Sequence, residues 1–284
     1  KTGREYWEWI INTVTILHSA YNDRMDNTKG SRPSPVQQAA LRRSLCLRAE
    51  LARLRSLLAD QPNIKQVVVF GSVAAGQTHE WSDLDLMIVE ESDAPFIERS
   101  LRLARLVRPQ VATEFLVYTP AEIRSLAARP FVKVEILQKG KVLPMNPHED
   151  AQRWLEFAEQ DLRTAEMTFS GEIFNQVCFH SQQCAEKCLK ACLTAAGELL
   201  PRTHRIVDLL GLLSTEAQAV VGDIKESLLE LDQFYIPTRY PDALPGSLPE
   251  GLPQKSHAEA ALAAARRCYE QTKRWLAELA GSTG

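Results

Sequence analysis

Two aspartates two residues apart, Asp83 and Asp85, follow a Gly-Ser pair, Gly71 and Ser72, within 67-VVVFGSVAAGQTHEWSDLDLMIV-89. At the period of a strand both carboxylates point to the same face. A chain that turns sharply at Gly71-Ser72 can offer backbone N–H groups and a hydroxyl to a phosphate, and a Cβ at Gly71 would block its close approach. Two carboxylates facing a phosphate cradle are a common way to hold Mg2+, which takes few protein oxygens and completes its octahedron with phosphates and waters. Glu114, in 111-VATEFLVYTP-120, is placed to supply a third acid from a neighbouring strand. The bland alternative is a turn followed by two solvated aspartates. The order and spacing of all these groups together favour the metal-and-phosphate reading.

These residues need strands and turns to position them, and the surrounding pattern supplies both. Val67–Phe70 and Leu84–Val89 are short, β-branched, apolar runs suited to strands buried on both faces. Phe96–Val107 has helical spacing, Val111–Tyr118 reads as a strand, and 119-TPAE-122 as an N-cap, a proline at the first helical position and a nearby acid. Val132–Leu137 and Lys141–Leu143 flank Lys139-Gly140, which predicts a tight hairpin. Strands and helices alternate from about 61 to 147, the mark of a small α/β domain. Before it, residues 1–60 read as an N-terminal helical extension, with 27-NTKGSRPSP-35 as a linker. In 36–60, Leu41, Leu45, Leu51, Leu54 and Leu58 recur at helical spacing with arginines between them. From 150 to 281 no strand is expected. Helices are predicted around Trp154–Met167, Cys178–Ala196, Ile206–Leu213, Val220–Tyr235 and His257–Leu279, making an antiparallel all-α bundle. The proline-rich stretch 237–253 interrupts it.

Composition narrows the function class. The chain has 284 residues, 45% hydrophobic and 24% charged, with a net charge of −3, so a general polyanion binder is not indicated and nucleic acid is not an expected partner. The most apolar N-terminal stretch, Trp9–Tyr21, contains Asn, Thr, His and Ser and is too short and polar to span a bilayer. No signal cleavage site is evident. The six cysteines include no CxxC pair, so a reducing cytoplasm is the expected compartment.

The signature 71-GSVAAG-76 followed by 82-SDLDL-86 resembles that of the minimal nucleotidyltransferases of the DNA polymerase β superfamily. The resemblance implies Gly71, Ser72, Gly76 and Ser82 at the nucleotide, and Asp83, Asp85 and Glu114 as metal-binding and catalytic carboxylates. It also implies Mg2+ or Mn2+ as cofactor and an NTP, ATP foremost, as substrate. An acceptor hydroxyl would attack the α-phosphate in line and release pyrophosphate, with two metals about 4 Å apart stabilising both oxygens. The family's third carboxylate is commonly aspartate, and Glu114 departs from that. His79 and Trp81 lie in the loop between the two halves of the signature, where an aromatic packed on its own domain is the expected arrangement and a lid over the base the sharper one.

In the helical half, 161-DLRTAE-166, 178-CFHSQQCAEKCLKACL-193, 203-THRIVDLL-210 and 239-RYPD-242 resemble the HEPN family, a helical bundle often paired with minimal nucleotidyltransferases. Many members are ribonucleases that use an Arg and a His four to six residues apart. Arg202 and His204 are only two apart and Arg163 is far from His180, so RNA cleavage is not expected. His180, Cys184, Cys188 and Cys192 share one helix face, but i+4 ligands on a straight helix cannot all surround one ion, and the cysteines are expected to pack as small hydrophobes. His180, Gln183, Glu186, Lys187 and Lys190 fall on overlapping faces of the same helix, where a buried polar network or a helix–helix interface is the default and a nucleotide or acceptor pocket the sharper reading; His180, Gln183 and Lys187 are the candidates for acceptor binding or an interface. Arg239, Tyr240 and Asp242 sit on the proline-rich loop, where contact with substrate or a partner subunit stands against a purely structural turn; Arg239 and Tyr240 are the candidates for acceptor binding or an interface. Arg99, Arg102, Arg105 and Arg108 wind around a helix and are expected to be solvated.

The expected function is therefore nucleotidyl transfer to a small-molecule or protein hydroxyl, with the bundle aiding acceptor binding or homodimer formation. The alternative is a non-catalytic nucleotide-binding regulator of toxin–antitoxin type.

Overall fold

The computed structural model describes residues 34–236, 238 and 252–282. The chain divides into two compact units, Lys1–Leu143 and Pro144–Gly284.

Helix α1 (Pro35–Ala59) starts where the turn-rich stretch ends. The Ser34 hydroxyl accepts from the Gln37 N–H at 3.3 Å while the Gln37 side chain accepts from the Ser34 N–H at 2.8 Å. This capping box, with proline preset at the first helical position, makes Ser34-Pro35 a helix start and not the tail of a linker. The buried stripe runs through Leu47, Leu51, Leu54 and Leu58; Leu41 and Leu45, expected on it, are only partly buried. The helix is also bonded to the rest of its unit. Buried Glu50 accepts from Arg53 and from the Gln110 N–H at 2.9 Å, and Arg53 donates to the Val107 carbonyl at 3.0 Å.

Four strands, β1 (Ile64–Phe70), β2 (Leu84–Glu90), β3 (Thr113–Tyr118) and β4 (Lys141–Val142), form one mixed sheet in the order β3-β2-β1-β4. β1 runs antiparallel to β2 and β4, whereas β2 and β3 are parallel and are joined through helix α3 (Phe96–Val107), as a parallel pair requires. Between β1 and β2 lies the single helical turn α2 (Gly71–Ala75). A capping box between Thr119 and Glu122 opens helix α4 (Pro120–Leu126). The α3 arginines are not all solvated. Arg99 is 2% exposed, donating to the carbonyls of Val117 and Ala94 and to Glu122, and Arg102 holds the fully buried Glu90.

The hairpin expected around Lys139-Gly140 does not form. Val132–Gln138 is a π-helical segment, and Val132 and Ile136 pack onto Val68, Phe70, Met87 and Val89. Val132 and Ile136 are the buried residues of that segment, while Val134, two residues from each, is not buried as it would be on the inner face of a strand. The edge of β1 is taken instead by Lys141–Val142, and Gly140 passes so close that a Cβ there would lie 2.3 Å from the Ile136 carbonyl oxygen.

The second unit is a helical bundle of α5 (Pro147–Ser170), α6 (Phe174–Ala195), α7 (Ile206–Leu212), α8 (Thr215–Val220), α9 (Lys225–Leu231) and α10 (Lys255–Ser282). The three-residue connection between α5 and α6 makes them antiparallel neighbours. α6 is the central helix, with Cys184, Ala185, Cys188, Leu189, Ala191 and Cys192 wholly buried against α5 and α10. Its cysteines are packing residues, and burial pushes the thiols of Cys178 and Cys192 up to about 12, which keeps them unreactive. The single helix expected over Val220–Tyr235 is broken by the 3-10 turns Gly222–Ile224 and Asp232–Phe234. The Asp232 carboxylate accepts from the Ile206 and Val207 N–H groups at 2.6 and 2.9 Å, so its turn caps the start of α7. No described helix is long and apolar enough to cross a membrane.

Candidate functional site

The end of β1 is shaped by one absent side chain. Gly71 has φ +67°, and a Cβ built on it would lie 2.0 Å from Asp85 Oδ2, so the space beside the turn belongs to that carboxylate. Gly76, at φ +69°, ends α2 in the left-handed region. Between them the Ser72 hydroxyl oxygen is buried without a hydrogen-bond partner among the described residues. A buried hydroxyl left unpaired is costly, and one aimed from the first turn after a strand suits an incoming phosphate oxygen. Gly71→Ala is expected to lower nucleotide-dependent activity by at least about 100-fold, since a misplacement of about 1 Å costs that much. Circular dichroism should show the fold retained; a variant with wild-type turnover would show that Asp85 has room to move aside.

The acids come together across two strands. Asp85 pairs in register with Glu114 of parallel β3 and with Phe70 of β1. Asp85 shares its strand face with Met87 and Val89, and Glu114 shares its own with Leu116 and Tyr118, so the carboxylates border the apolar face that Val132 and Ile136 cover. Asp83 stands just before β2. The Asp85 carboxyl is raised to about 6, first by its burial and then by the negative charges of Asp83 and Glu114. Among the described residues no three His, Cys, Asp or Glu side chains are gathered into a ready-made metal cage. The set nevertheless fits Mg2+, because mutually repelling carboxylates gain from a cation that takes its remaining oxygens from phosphate and water.

Ser82 has a different environment from Ser72. It is 1% exposed; its N–H donates to the His79 carbonyl at 3.0 Å, its hydroxyl accepts from the His79 N–H at 2.9 Å, and its carbonyl accepts from Arg43 Nε at 2.6 Å. Ser82 therefore pins the turn that leads into Asp83. Trp81, on the tip of that turn, is 81% exposed and does not pack on its own domain as expected; its N–H donates to His79 Nδ1 at 3.2 Å. The hydrogen bonds of His79 and Ser82 close the turn beneath it, which leaves the ring outside.

In the bundle, His180 Nδ1 and Asp161 Oδ1 are 2.8 Å apart, and the Lys187 ammonium donates to the other oxygen of Asp161. Burial alone would raise the Asp161 carboxyl, but the hydrogen bonds from His180 and Lys187 outweigh it and hold the group below its usual range. A second network centres on buried Glu186, which accepts from Gln183 at 3.1 Å and Lys190 at 2.7 Å and meets His204 Nδ1 at 3.0 Å. The His204 ring stacks on Tyr235 at 5.6 Å, and Gln182 donates to the His204 carbonyl at 2.9 Å.

Comparison with known proteins matches both halves. A family model described as "Polymerase beta, Nucleotidyltransferase" covers residues 52–149, and one described as "HEPN domain" covers 151–275. The archaeal HEPN homologue ST0689, known from its crystal structure, is 31% identical; the match covers 44% of this chain and 97% of that one, with a TM-score of 0.37. The chain joins a polymerase β-type nucleotidyltransferase domain to a HEPN domain. Also similar are TT1696 from Thermus thermophilus, 36% identical over 44% of this chain and 96% of that one with a TM-score of 0.40, and "Putative toxin MJ1304" of Methanocaldococcus jannaschii, 29% identical over 46% of this chain and 91% of that protein.

In the nucleotidyltransferase domain the structure brings Gly71, Ser72, Asp83, Asp85 and Glu114 to one end of the sheet, and uses Gly76 and Ser82 to shape the turns around them. In the HEPN domain His180, Gln183 and Lys187 fall in the two polar networks, while Arg239 and Tyr240 lie outside the described residues. Arg43 and Asp161 were not singled out from the sequence as site residues, and His204 was weighed only as half of a ribonuclease pair. Asp161 and Glu186 stand inside the stretches that resemble HEPN, but the partners of Asp161 are 19 and 26 residues away in the chain and His204 is 18 residues from Glu186.

Proposed function

We propose that the protein is a Mg2+-dependent nucleotidyltransferase that moves a nucleoside monophosphate, AMP from ATP, onto an acceptor hydroxyl. One observation carries the reading: the carboxylate of Asp85 occupies the space left by the missing Cβ of Gly71, beside the buried, unpaired hydroxyl of Ser72. The groups proposed to bind phosphate and metal are thus neighbours.

In this reading the Gly71 backbone and the Ser72 hydroxyl donate to phosphate oxygens and hold the triphosphate in one orientation. Asp83, Asp85 and Glu114 would hold Mg2+ or Mn2+, which when bound neutralises charge at the attacking and leaving oxygens. The raised Asp85 carboxyl supports this, because a site that destabilises its own anion favours a cation. The HEPN domain would contribute acceptor binding or self-association through His180, Gln183 and Lys187. A homodimer is the proposed state, and light scattering that shows a clean monomer at micromolar concentration would remove it. Six free cysteines support a cytoplasmic location. Neither a membrane nor nucleic acid is a proposed partner.

The test is transfer of label from α-32P-ATP, with Mg2+ or Mn2+, to any product in a lysate of the parent cell. Label that appears with wild type and disappears with Asp83→Ala/Asp85→Ala supports transfer, and the labelled species identifies the acceptor. A second reading, a non-catalytic nucleotide-binding regulator of toxin–antitoxin type, draws on Glu114 where aspartate is common and on the toxin name that the Methanocaldococcus relative carries. It predicts nucleotide binding with no transfer from any of the four NTPs.

A further inference from the structure

Arg43 precedes Leu47 by one helical turn and continues the stripe of Leu47, Leu51, Leu54 and Leu58. Its side chain is partly buried, and its Nε donates to the Ser82 carbonyl, 39 residues along the chain, at 2.6 Å. That carbonyl belongs to the peptide group that ends at the nitrogen of Asp83. The other polar groups of Ser82 are taken by His79, whose carbonyl receives the Ser82 N–H and whose N–H donates to the Ser82 hydroxyl. The peptide entering Asp83 is therefore gripped from two sides, by the turn and by α1. α1 is itself held in place by the bonds of Glu50 and Arg53 to Gln110 and Val107. The match to the nucleotidyltransferase family begins at residue 52, so the residue that makes this grip lies outside it.

We infer that Arg43 is a positioning residue for the metal-binding carboxylates, acting through the Ser82 carbonyl on the aim of Asp83. The inference rests on the transfer reading given above. A guanidinium hydrogen bond to a partly buried carbonyl is charge-assisted and short, and stronger than a neutral one. Without it the Ser82-Asp83 peptide can rotate, and rotation about that plane swings the Asp83 side chain away from the position that faces Asp85. Groups that orient a metal ligand from behind carry about 10- to 100-fold of metal affinity or activity. α1 is thereby a working part of the transferase unit, because it delivers the donor that shapes the acid site across a 39-residue separation.

The test compares wild type, Arg43→Met and Arg43→Lys. Methionine keeps an unbranched stem against α1 and removes every donor, so packing along the Leu47 stripe survives. Lysine keeps a charged donor without the guanidinium geometry. Mn2+ binding is followed by electron paramagnetic resonance in the presence of a nonhydrolysable ATP analogue, together with metal-free binding of the same analogue and the melting temperature. Arg43→Met is expected to weaken Mn2+ binding about 10- to 100-fold, with Arg43→Lys between it and wild type. Metal-free nucleotide binding should change far less, because the Gly71-Ser72 cradle is not touched by Arg43. Equal Mn2+ affinity in wild type and Arg43→Met would overturn the inference alone. So would a parallel loss of metal-free binding and melting temperature, which is what a merely structural role produces. Absence of any Mn2+–nucleotide site in the wild type would overturn both the inference and the transfer reading beneath it.

Discussion

Replacing Asp85 with Asn is expected to abolish nucleotidyl transfer and, at neutral pH, to make the folded protein more stable. The loss of rate should reach at least about 1,000-fold, since a metal clamp on a phosphoryl group supplies several kcal/mol of transition-state stabilisation. The gain in stability follows from the raised carboxyl, which titrates near 6 in the fold against 3.8 for the ordinary group. Below about pH 3 both folded and unfolded chains carry a neutral Asp85, and the site costs nothing. As pH rises towards 6 the unfolded chain ionises first, so the native state loses stability, and the loss is complete above about 6. Asp85 is only half-buried, so solvent screening reduces the effect to about 1 kcal/mol. Asp85→Asn should therefore melt roughly 2–4 °C higher than wild type at about pH 7.5, with the difference vanishing at about pH 3 and below. Melting curves at the two pH values decide it; an unchanged melting temperature under the neutral condition would mean that Asp85 keeps its hydration in the fold and that Asp83 and Glu114 are too well solvated to burden it. The combination of gained stability and lost activity is the signature of a functional strain and not of a structural carboxylate.

The second large effect is expected in the HEPN domain. Glu186 is 3% exposed, and one of its oxygens meets both Lys190 at 2.7 Å and His204 at 3.0 Å. Truncation to alanine would leave the Lys190 ammonium, itself 8% exposed, with the Trp154 ring at 5.2 Å as its remaining close neighbour in this cluster. Breaking a buried pair by removing one partner costs about 3–5 kcal/mol, because the surviving charge stays buried. A cation over an indole returns about 1–2 kcal/mol at most. Glu186→Ala is therefore expected to lose about 3–5 kcal/mol in urea unfolding of the helical unit. Glu186→Leu combined with Lys190→Leu should recover most of that, since neither charge remains to be desolvated. If the single variant lost less than about 1 kcal/mol, Lys190 would have to reach solvent by a route that the native packing does not contain. The same network fixes His204 against Tyr235, so the loop that leads into α7 through His204 should loosen in step with the loss of Glu186.

Much of the first unit was legible because its signals are local. Phe96–Val107 forms over the residues its spacing indicates, the Thr119-Pro120 start acts through its capping box, and the apolar runs at 67–70 and 84–89 lie in strands. Local signals failed where two neighbouring patterns were compatible with one composition. Val132–Gln138 alternates well enough for a strand, but its partner edge was already occupied by Lys141–Val142, a fact about the sheet and not about the segment. In the same way Arg99 and Arg102 look solvated by spacing, and only the fold supplies the buried carbonyls and Glu90 that draw them in. In the bundle, Val220–Tyr235 has the content of one helix, but 3-10 turns at Gly222–Ile224 and Asp232–Phe234 divide it, and the second of them brings Asp232 to the start of α7.

Residue order alone determined which groups could do chemistry here: a glycine and a serine at a strand end, two aspartates at period two, and a glutamate in a later strand. These depend on the directions that neighbouring residues take along one strand, which geometry dictates without knowledge of the rest of the chain. The tertiary structure decided how they meet. The parallel register sets Asp85 beside Glu114, the missing Cβ of Gly71 admits the Asp85 carboxylate, and a helix 39 residues upstream steadies the peptide of Asp83 through Arg43. Contacts between residues far apart in sequence arise from packing and strand registration, and neither has a counterpart in the spacing of residues along the chain.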